Sequence, residues 1–504
     1  MMVWNKHILS RAASFAAFAV PFGIYVASLT PGVGFWDTAE MQTVPYIFGI
    51  AHPTGFPSFV MLGYLFSHVF ACGNVAWRLT VMSAIAMSAA AWFVFRTLVD
   101  EGVDPLFGCI AAWTFSFGYV AWTRGTRAEV HALAICFIAA AIWSALRARS
   151  SGATAPLYVC ALSVGLAAAT HPVVIWILPG LMVLLAEPWL WRDHPWRKGV
   201  FAFCFLFVPL LAYLYMPLRS AFVTTHHLDP TLGLGLPPGQ AFWDWGHPAT
   251  LHNFIRTLTG ARFPKSDALG ATLKLLLYPS FAKDFAIKTL GEYGIIVSLL
   301  AVAGAIELFF RDPAKAVGLL LAALLGIPFA LSYTIESDYD RYFLTAYWVM
   351  ALLAGLGALA VVRRAPRGGS VIAFAIATGL LLTGVAQSIN KNRDVFRQRT
   401  DISGSAFIDR ARRETPANGV IVASWVYAAP LAYAAYVEQS MGQRIIASAE
   451  PNEITQRLLS WTSKRPVFVI YFEPFKESPT PIRGAQLVRV GSEEPAIYRV
   501  HPMR

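Results

Sequence analysis

The chain has 504 residues, of which 56% are hydrophobic and only 14% charged, with a net charge of +11 and a mean hydropathy of +0.53. Soluble domains carry about a quarter charged residues, so this composition excludes an ordinary soluble protein and calls for lipid as solvent. The basic residues sit in small clusters between apolar runs, as topology signals do, and no long basic tract or zinc-type spacing is present, which excludes nucleic acid as a partner.

In chain order, Lys6 and Arg11 precede the apolar stretch Ala12–Leu29. It resembles a signal sequence but is longer than the usual apolar core of one. It is therefore expected to be an uncleaved first helix with its N-terminus in the cytoplasm. The next segment, 30–78, carries "GFWDTAE" at 34–40 and "AHPTGFP" at 51–57. Asp37 and Glu40, three apart, share one face if the loop turns helical there. Two readings stay open: a variant capping box, with Asp37 as N-cap and Glu40 reaching back to its amide, or a general base at the membrane interface. Phe35 and Trp36 supply an apolar wall beside either. His52 precedes a proline, which favours extended backbone, so a structural corner is the plainer account of it.

Residues 56–72, "FPSFVMLGYLFSHVFAC", form a short apolar run that could span or lie at the interface. Counted as a span, it would put Arg147/Arg149, Arg192/Arg197/Lys198, Arg311/Lys315 and Arg363/Arg364/Arg367 all outside. Counted as an interfacial helix, it puts every one of those clusters in the cytoplasm, and that count is adopted. The remaining runs long enough to cross a bilayer as helix are roughly 79–98, 105–122, 128–146, 155–170, 172–188, 199–217, 291–310, 316–333, 342–362 and 369–388. With the first helix they make about eleven transmembrane helices. The five cysteines, Cys72, Cys109, Cys136, Cys160 and Cys204, lie in or beside these runs without close pairing, against a disulfide framework or a metal site.

This topology places 30–78, the long loop 218–290 and the tail outside the cytoplasm. Several outer connections then keep arginines that topology does not require: Arg124 and Arg127 in "WTRGTRAEVHA", Arg219 in "MPLRSAF" and Arg341 in "ESDYDRYF". Arg127 with Glu129, and Arg341 with Asp338 and Asp340, could be plain ion pairs at helix ends. Charges near membrane depth are nevertheless costly and mark substrate paths, and the guanidinium fork suits phosphate oxygens. His171 in "AATHPVV" precedes a proline as His52 does, and projects to the same face. A carboxylate base with several arginines at membrane level implies a substrate that has both a phosphate and a lipid tail. In the long loop, Trp243 and Trp245 flank Asp244, with Arg256 and Arg262 following. That mixture suits a sugar or acceptor surface, and equally any membrane interface.

From about 389 the chain changes character. Short β-rich runs ("GVIVAS", "RIIAS", "VFVIYF", "AQLVRV", "AIYRV") alternate with helical stretches at 425–439 and 452–463. The pattern predicts a small α/β domain with a partly parallel sheet. It contains no glycine-rich phosphate loop and no nucleophile motif, so its role is recognition or structure. The expected division is thus a transmembrane domain over 1–388 and an extracytoplasmic α/β domain over 389–504.

The block "SLTPGVGFWDTAEMQTVPYIFGIAHPTGFPSFVMLGYLFS" resembles the opening of the transmembrane protein O-mannosyltransferase family, long catalogued as a domain of unknown function. "WTRGTRAEVHAL", "GLAAATHPVVIWILPG", "YLYMPLRS" and "FWDWGHPATLHNFIRTLTGARF" follow in the family's order. The resemblance covers about residues 20–265 well and implies a GT-C glycosyltransferase using a polyprenyl-phosphate sugar donor, with no cofactor or metal assigned. It implies that Asp37 is the base with Glu40 as its neighbour, and that Arg127, Glu129 and His171 fall in the donor cavity. His247 stands where the family pattern has an acidic residue before the proline, and Thr54 where a second proline is usual. The expected partners are the lipid-linked sugar, an acceptor protein or glycan, and the bilayer. The expected setting is a bacterial inner membrane with the site on the periplasmic side. The competing reading is a non-enzymatic transporter or flippase of lipid-linked sugar, which the absence of internal repeats weakens.

Overall fold

The computed structural model describes residues 2–261, 280–332, 339–366, 368–472 and 481–503. Arg262, Asp338 and Arg367, all named above, lie outside the described residues. Among the described residues, eight helices are long and apolar enough to cross a bilayer: Ile8–Ser28, Val75–Asp100, Val130–Ser151, Pro195–Thr225, Lys283–Arg311, Pro313–Leu331, Tyr339–Arg363 and Ser370–Lys391. The run expected at 105–122 is two helices, Pro105–Ser116 and Tyr119–Gly125, bent by 74°. Those expected at 155–170 and 172–188 are the shorter apolar helices Thr154–Ala168 and Pro172–Leu185. Every apolar run read from the sequence is therefore helical, but three of them are too short or too bent to pass as straight spans.

The bend is set by a contact from the helix Ser280–Arg311. Gly118 starts the second half, and a Cβ there would lie 2.4 Å from Glu292 Oε1. That same oxygen accepts the Val120 amide at 2.9 Å, satisfying a backbone donor that the break releases.

The first part of the chain runs α1 (Met2–Ser28), α2 (Trp36–Ile47), α3 (Pro57–Val69), α4 (Val75–Asp100), α5 (Pro105–Ser116), α6 (Tyr119–Gly125), α7 (Val130–Ser151), α8 (Thr154–Ala168) and α9 (Leu178–Leu185). At 13 residues, α3 is only about 20 Å long and packs against α2 and α4. Basic residues of two clusters, Arg147/Arg149 and Arg311/Lys315, pair with acids at the end of the bundle where α4 and α7 finish. Arg149 donates to Asp312 at 2.9 Å and pairs with Glu187. Arg147 meets Asp100 at 3.3 Å, and Lys315 meets Glu101 at 2.7 Å. The starts of α2, α4 and α7 lie at the other end.

The C-terminal region carries a five-stranded sheet in the order β2-β1-β3-β5-β4. Strands β1 (Val420–Ala423), β2 (Ile445–Ser448) and β3 (Val467–Ile470) are parallel, with Val420 opposite both Ile445 and Val467. Strands β5 (Ile497–Pro502) and β4 (Ala485–Val490) add on antiparallel. The two central parallel strands are buried throughout, as their unbroken apolar sequences require. All five predicted strands are present.

This region is joined to the bundle through the α1–α4 segment. The helix Trp425–Tyr436 packs on α2, and Tyr433 Oη accepts the Ala76 amide at 3.0 Å. Phe35 lies against Phe407 and Tyr427. Gly404 brings the helix Ser403–Glu414 so close to the 29–35 connection that a Cβ would sit 2.1 Å from the Val33 carbonyl oxygen.

Candidate active site

Helix α2 opens at Trp36 with Phe35 as N-cap and no side-chain cap, so the capping-box reading of Asp37 and Glu40 does not hold. Asp37 sits in the first turn, half-buried, at the edge of a pocket lined by Asp37, His52, Phe56, Glu129, His131, His171, Arg341 and Tyr342 among others. Glu40 is fully buried behind it. It accepts the His52 amide at 2.7 Å and also engages the His52 ring Nδ1, which fixes the corner that follows α2. Burial by itself would lower the His52 imidazole, but the carboxylates of Glu40 and Asp37 overcome it and hold the group up to about 9. The structural corner inferred for His52 and its place in a charged pocket are one arrangement.

Arg341 faces Asp37 across the pocket, Nη1 to Oδ2, at 3.6 Å. On the same wall Glu129 caps α7 with extended backbone. It accepts Arg124 Nη1 at 3.1 Å and His131 Nδ1 at 2.8 Å. Burial opposes its ionisation, but His131, Arg124 and Arg341 outweigh that and keep Glu129 well below the ordinary carboxylate range. His171 caps the turn that follows α8, its Nδ1 accepting the Val173 amide at 3.1 Å. Burial, with His131 and Arg341 adding to it, holds this imidazole well below its usual range.

The remaining predicted residues are placed differently. Arg124 holds Glu129 from behind the pocket wall. Arg127 directs Nε to the Thr123 carbonyl at 3.1 Å and is not part of the lining among the described residues. Arg219 binds the carbonyls of Phe48 at 2.8 Å and Ile47 at 3.0 Å, closing the end of α2. Asp340 pairs with Lys288 at 2.7 Å. Of the long-loop trio, Trp245 reaches the site: it lies edge-on to Trp425 at 4.6 Å and 6.1 Å from the His52 ring. Asp244 is buried, with its Oδ2 2.7 Å from His247 Nδ1, and burial raises its carboxyl. His247, the departure noted above, is thus the partner of the preceding acid. Trp243 packs on Tyr436, away from the pocket.

Three site residues escaped sequence reasoning. His131 stands two positions after Glu129, a spacing that points nowhere on a helix; it works because Glu129 is the extended cap and His131 lies in the first turn. Tyr342, next to Arg341, carries no spacing signal of its own and joins the lining through the turn that starts its helix. Trp425, from the C-terminal region, sends its indole N–H to Asp37 Oδ1 at 3.4 Å and stacks on Phe242 at 5.2 Å. Asp37, Glu40 and His52 could each offer one ligand atom to a cation, all within 4.8 Å of one another, although Glu40 and His52 already bind each other.

These features define an integral membrane protein of many helices, with a pocket of acids, imidazoles and one arginine at one end of its bundle. The family model for the N-terminal domain of protein O-mannosyl-transferase TMEM260 matches residues 37–189, a stretch that takes in most of the opening block quoted above. The mouse protein O-mannosyl-transferase TMEM260 is 27% identical over 391 residues, 72% of this chain and 51% of that protein. The Dictyostelium discoideum relative is 25% identical over 301 residues, 55% of this chain and 34% of that protein. The alignments thus span about half or less of these curated relatives. Among solved structures, ArnT from Cupriavidus metallidurans in the apo state matches with a TM-score of 0.49 at 11% identity, covering 99% of this chain and 98% of that one. The same protein bound to undecaprenyl phosphate matches with a TM-score of 0.47 at 11% identity, covering 96% and 97%.

Proposed function

We propose that the protein is a GT-C-type glycosyltransferase that moves a hexose, mannose or a close relative, from a polyprenyl phosphate to an acceptor hydroxyl, protein serine or threonine being the acceptor favoured by its homologues. Asp37 takes the proton of the acceptor hydroxyl as its oxygen attacks the anomeric carbon. The bond to the phosphate oxygen breaks, the polyprenyl phosphate leaves with the electron pair, and one displacement inverts the anomeric centre. Arg341 stabilises the charge that grows on the leaving phosphate, commonly the largest catalytic contribution. Glu40 holds His52 and the α2 corner in place. In this reading residues 1–388 form the catalytic membrane domain and 389–504 an extracytoplasmic α/β domain that walls the site.

The observation that carries the reading is the pairing of Asp37 with Arg341 in one pocket, at the helix ends remote from the basic clusters. That separation supports a reaction on the non-cytoplasmic face, the periplasmic one in a bacterial inner membrane. A lipid arm is supported by an apolar groove of about 630 Å³ lined by Leu62, Leu65, Phe66, Met82, Leu133 and Cys136. It runs along α3, α4 and α7, and α7 delivers Glu129 and His131 to the pocket one turn earlier. A flippase would need its charges along the transport path near the bilayer midplane, whereas these pocket charges gather at one end.

The test uses purified protein, polyprenyl-phosphate [³H]mannose and serine- or threonine-containing acceptor proteins. Labelled acceptor is expected, and it should disappear in Asp37→Asn protein of normal expression and thermal stability. Movement of labelled lipid across vesicles without glycosylated product would sink the transferase reading in favour of transport.

A further inference from the structure

The pocket contains a buried hydrogen-bonding atom with nothing to bind. His131 is 4% exposed. Its Nδ1 lies 2.8 Å from Glu129 Oε1, and an ionised carboxylate only accepts, so the ring, neutral in its buried place beside the Arg124 and Arg341 guanidinium groups, has its one proton on Nδ1. Nε2 therefore carries a lone pair. Among the described residues this atom has no hydrogen-bond partner, and His131 lines the pocket beside Asp37 and Arg341. An orphaned acceptor is rare in a folded interior and calls for a ligand or a water.

The ring beside it is complementary. His171 lies 4.3 Å from His131 between ring centroids. Its Nδ1 is used as an acceptor by the Val173 amide, so its proton is on Nε2. The two rings thus present one acceptor and one donor side by side, against the Tyr342 ring at 5.2 Å from His131 and 6.0 Å from His171. A lone pair repels phosphate oxygens, which leaves the phosphate to Arg341. A cation is opposed by Arg124 and Arg341, both of which face Glu129, and His131 is not part of the cluster that could hold a metal. A neutral hydroxyl, donor and acceptor at once, suits the pair.

We propose that His131 is a sugar-reading residue: its Nε2 accepts a hydrogen bond from one ring hydroxyl of the lipid-linked hexose, while His171 Nε2–H donates to a neighbouring oxygen of the same sugar. Glu129 is the positioning residue that sets the His131 tautomer. The assignment rests on the transferase reading and adds to it which atoms select the sugar.

The experiment compares polyprenyl-phosphate mannose with its 2-, 3-, 4- and 6-deoxy analogues as donors for the unchanged protein, for His131→Phe and for His131→Asn. Detergent-solubilised thermal unfolding serves as a check on folding. A site built to bond a hydroxyl rejects the analogue lacking it strongly, so one deoxy donor is expected to lose at least about tenfold in kcat/KM with the unchanged protein. In His131→Phe that penalty should shrink to less than about threefold, while the other deoxy donors keep their relative rates. His171→Phe, assayed alongside, provides a second folded variant and should soften the penalty for the same or the adjacent hydroxyl. A flat deoxy series in the unchanged protein, or one whose pattern survives both substitutions, overturns the assignment to His131 alone. Absence of transfer from every donor by the unchanged protein overturns the transferase reading itself, and this inference with it.

Discussion

Arg341 Nη1 stands 3.6 Å from Asp37 Oδ2, joining the first turn of α2 to the start of the helix that ends at Arg363. The contact is long for a tight ion pair, so neither group is consumed by the other. With Arg341 9% exposed at its side chain and Asp37 39%, the acid opens to the pocket mouth and the guanidinium lies deeper. An acceptor can approach one while a phosphate meets the other.

Replacing Arg341 by Lys keeps a charge but discards the planar fork. Turnover with a polyprenyl-phosphate mannose donor is expected to fall by roughly 10²–10³, the range for losing one donor to a developing oxyanion, with much less change in donor KM. A variant that lost affinity while retaining kcat would show that Arg341 only anchors the ground state.

The pH dependence of stability follows from His52. Its pKa is raised in the folded protein, from an ordinary 6.5 to about 9, by Glu40 and Asp37 against burial and Arg341. A raised folded pKa gives stability that is complete below about 6.5 and is lost as pH rises through about 9. Thermal unfolding in detergent should therefore shift to lower temperature between pH 7 and 10. In Glu40→Gln protein the baseline should be lower and that slope shallower. An equal slope in both would assign the alkaline loss to other groups.

Arg124 is buried against Glu129, so Arg124→Ala leaves an acid in the interior with less compensation. Breaking a buried pair from one side costs about 3–5 kcal/mol, enough to lower yield and melting temperature sharply. Adding Glu129→Gln should recover much of the stability but not the activity, because an amide can donate as well as accept and no longer fixes the His131 tautomer. Recovery of both would remove Glu129 from the site.

The apolar runs and the strand alternation could be read directly because hydrophobic period and length are local properties. So could the segment bearing Asp37 and Glu40, since carboxylates are conspicuous in an apolar chain. What could not be read is who meets whom. Glu40 turns to His52 rather than back along its own helix, and Arg219 closes α2 by binding carbonyls, as an arginine can wherever a helix ends. Trp425 reaches Asp37 from a different part of the fold, and no spacing rule relates them. The break at Gly118 was hidden because its cause, Glu292, belongs to a distant helix.

The docking of the C-terminal region on the site gives a prediction that touches no pocket residue. A Cβ at Gly404 would lie 2.1 Å from the Val33 carbonyl oxygen, a backbone atom that cannot swing aside, so Gly404→Ala must separate the helix Ser403–Glu414 from the 29–35 connection. That connection leads straight into Trp36 and Asp37, and the same region holds Trp425 against Asp37. A displacement of about 1 Å at reacting groups can cost a hundredfold in rate. Gly404→Ala is therefore expected to lower kcat at least about tenfold while the membrane helices stay folded. Gly379, which has nothing within 4 Å of a built Cβ, is the control: Gly379→Ala should leave turnover unchanged and raise stability by up to about 1 kcal/mol through helix propensity. Full activity in Gly404→Ala protein would mean that the C-terminal region can move away from the bundle without disturbing Asp37.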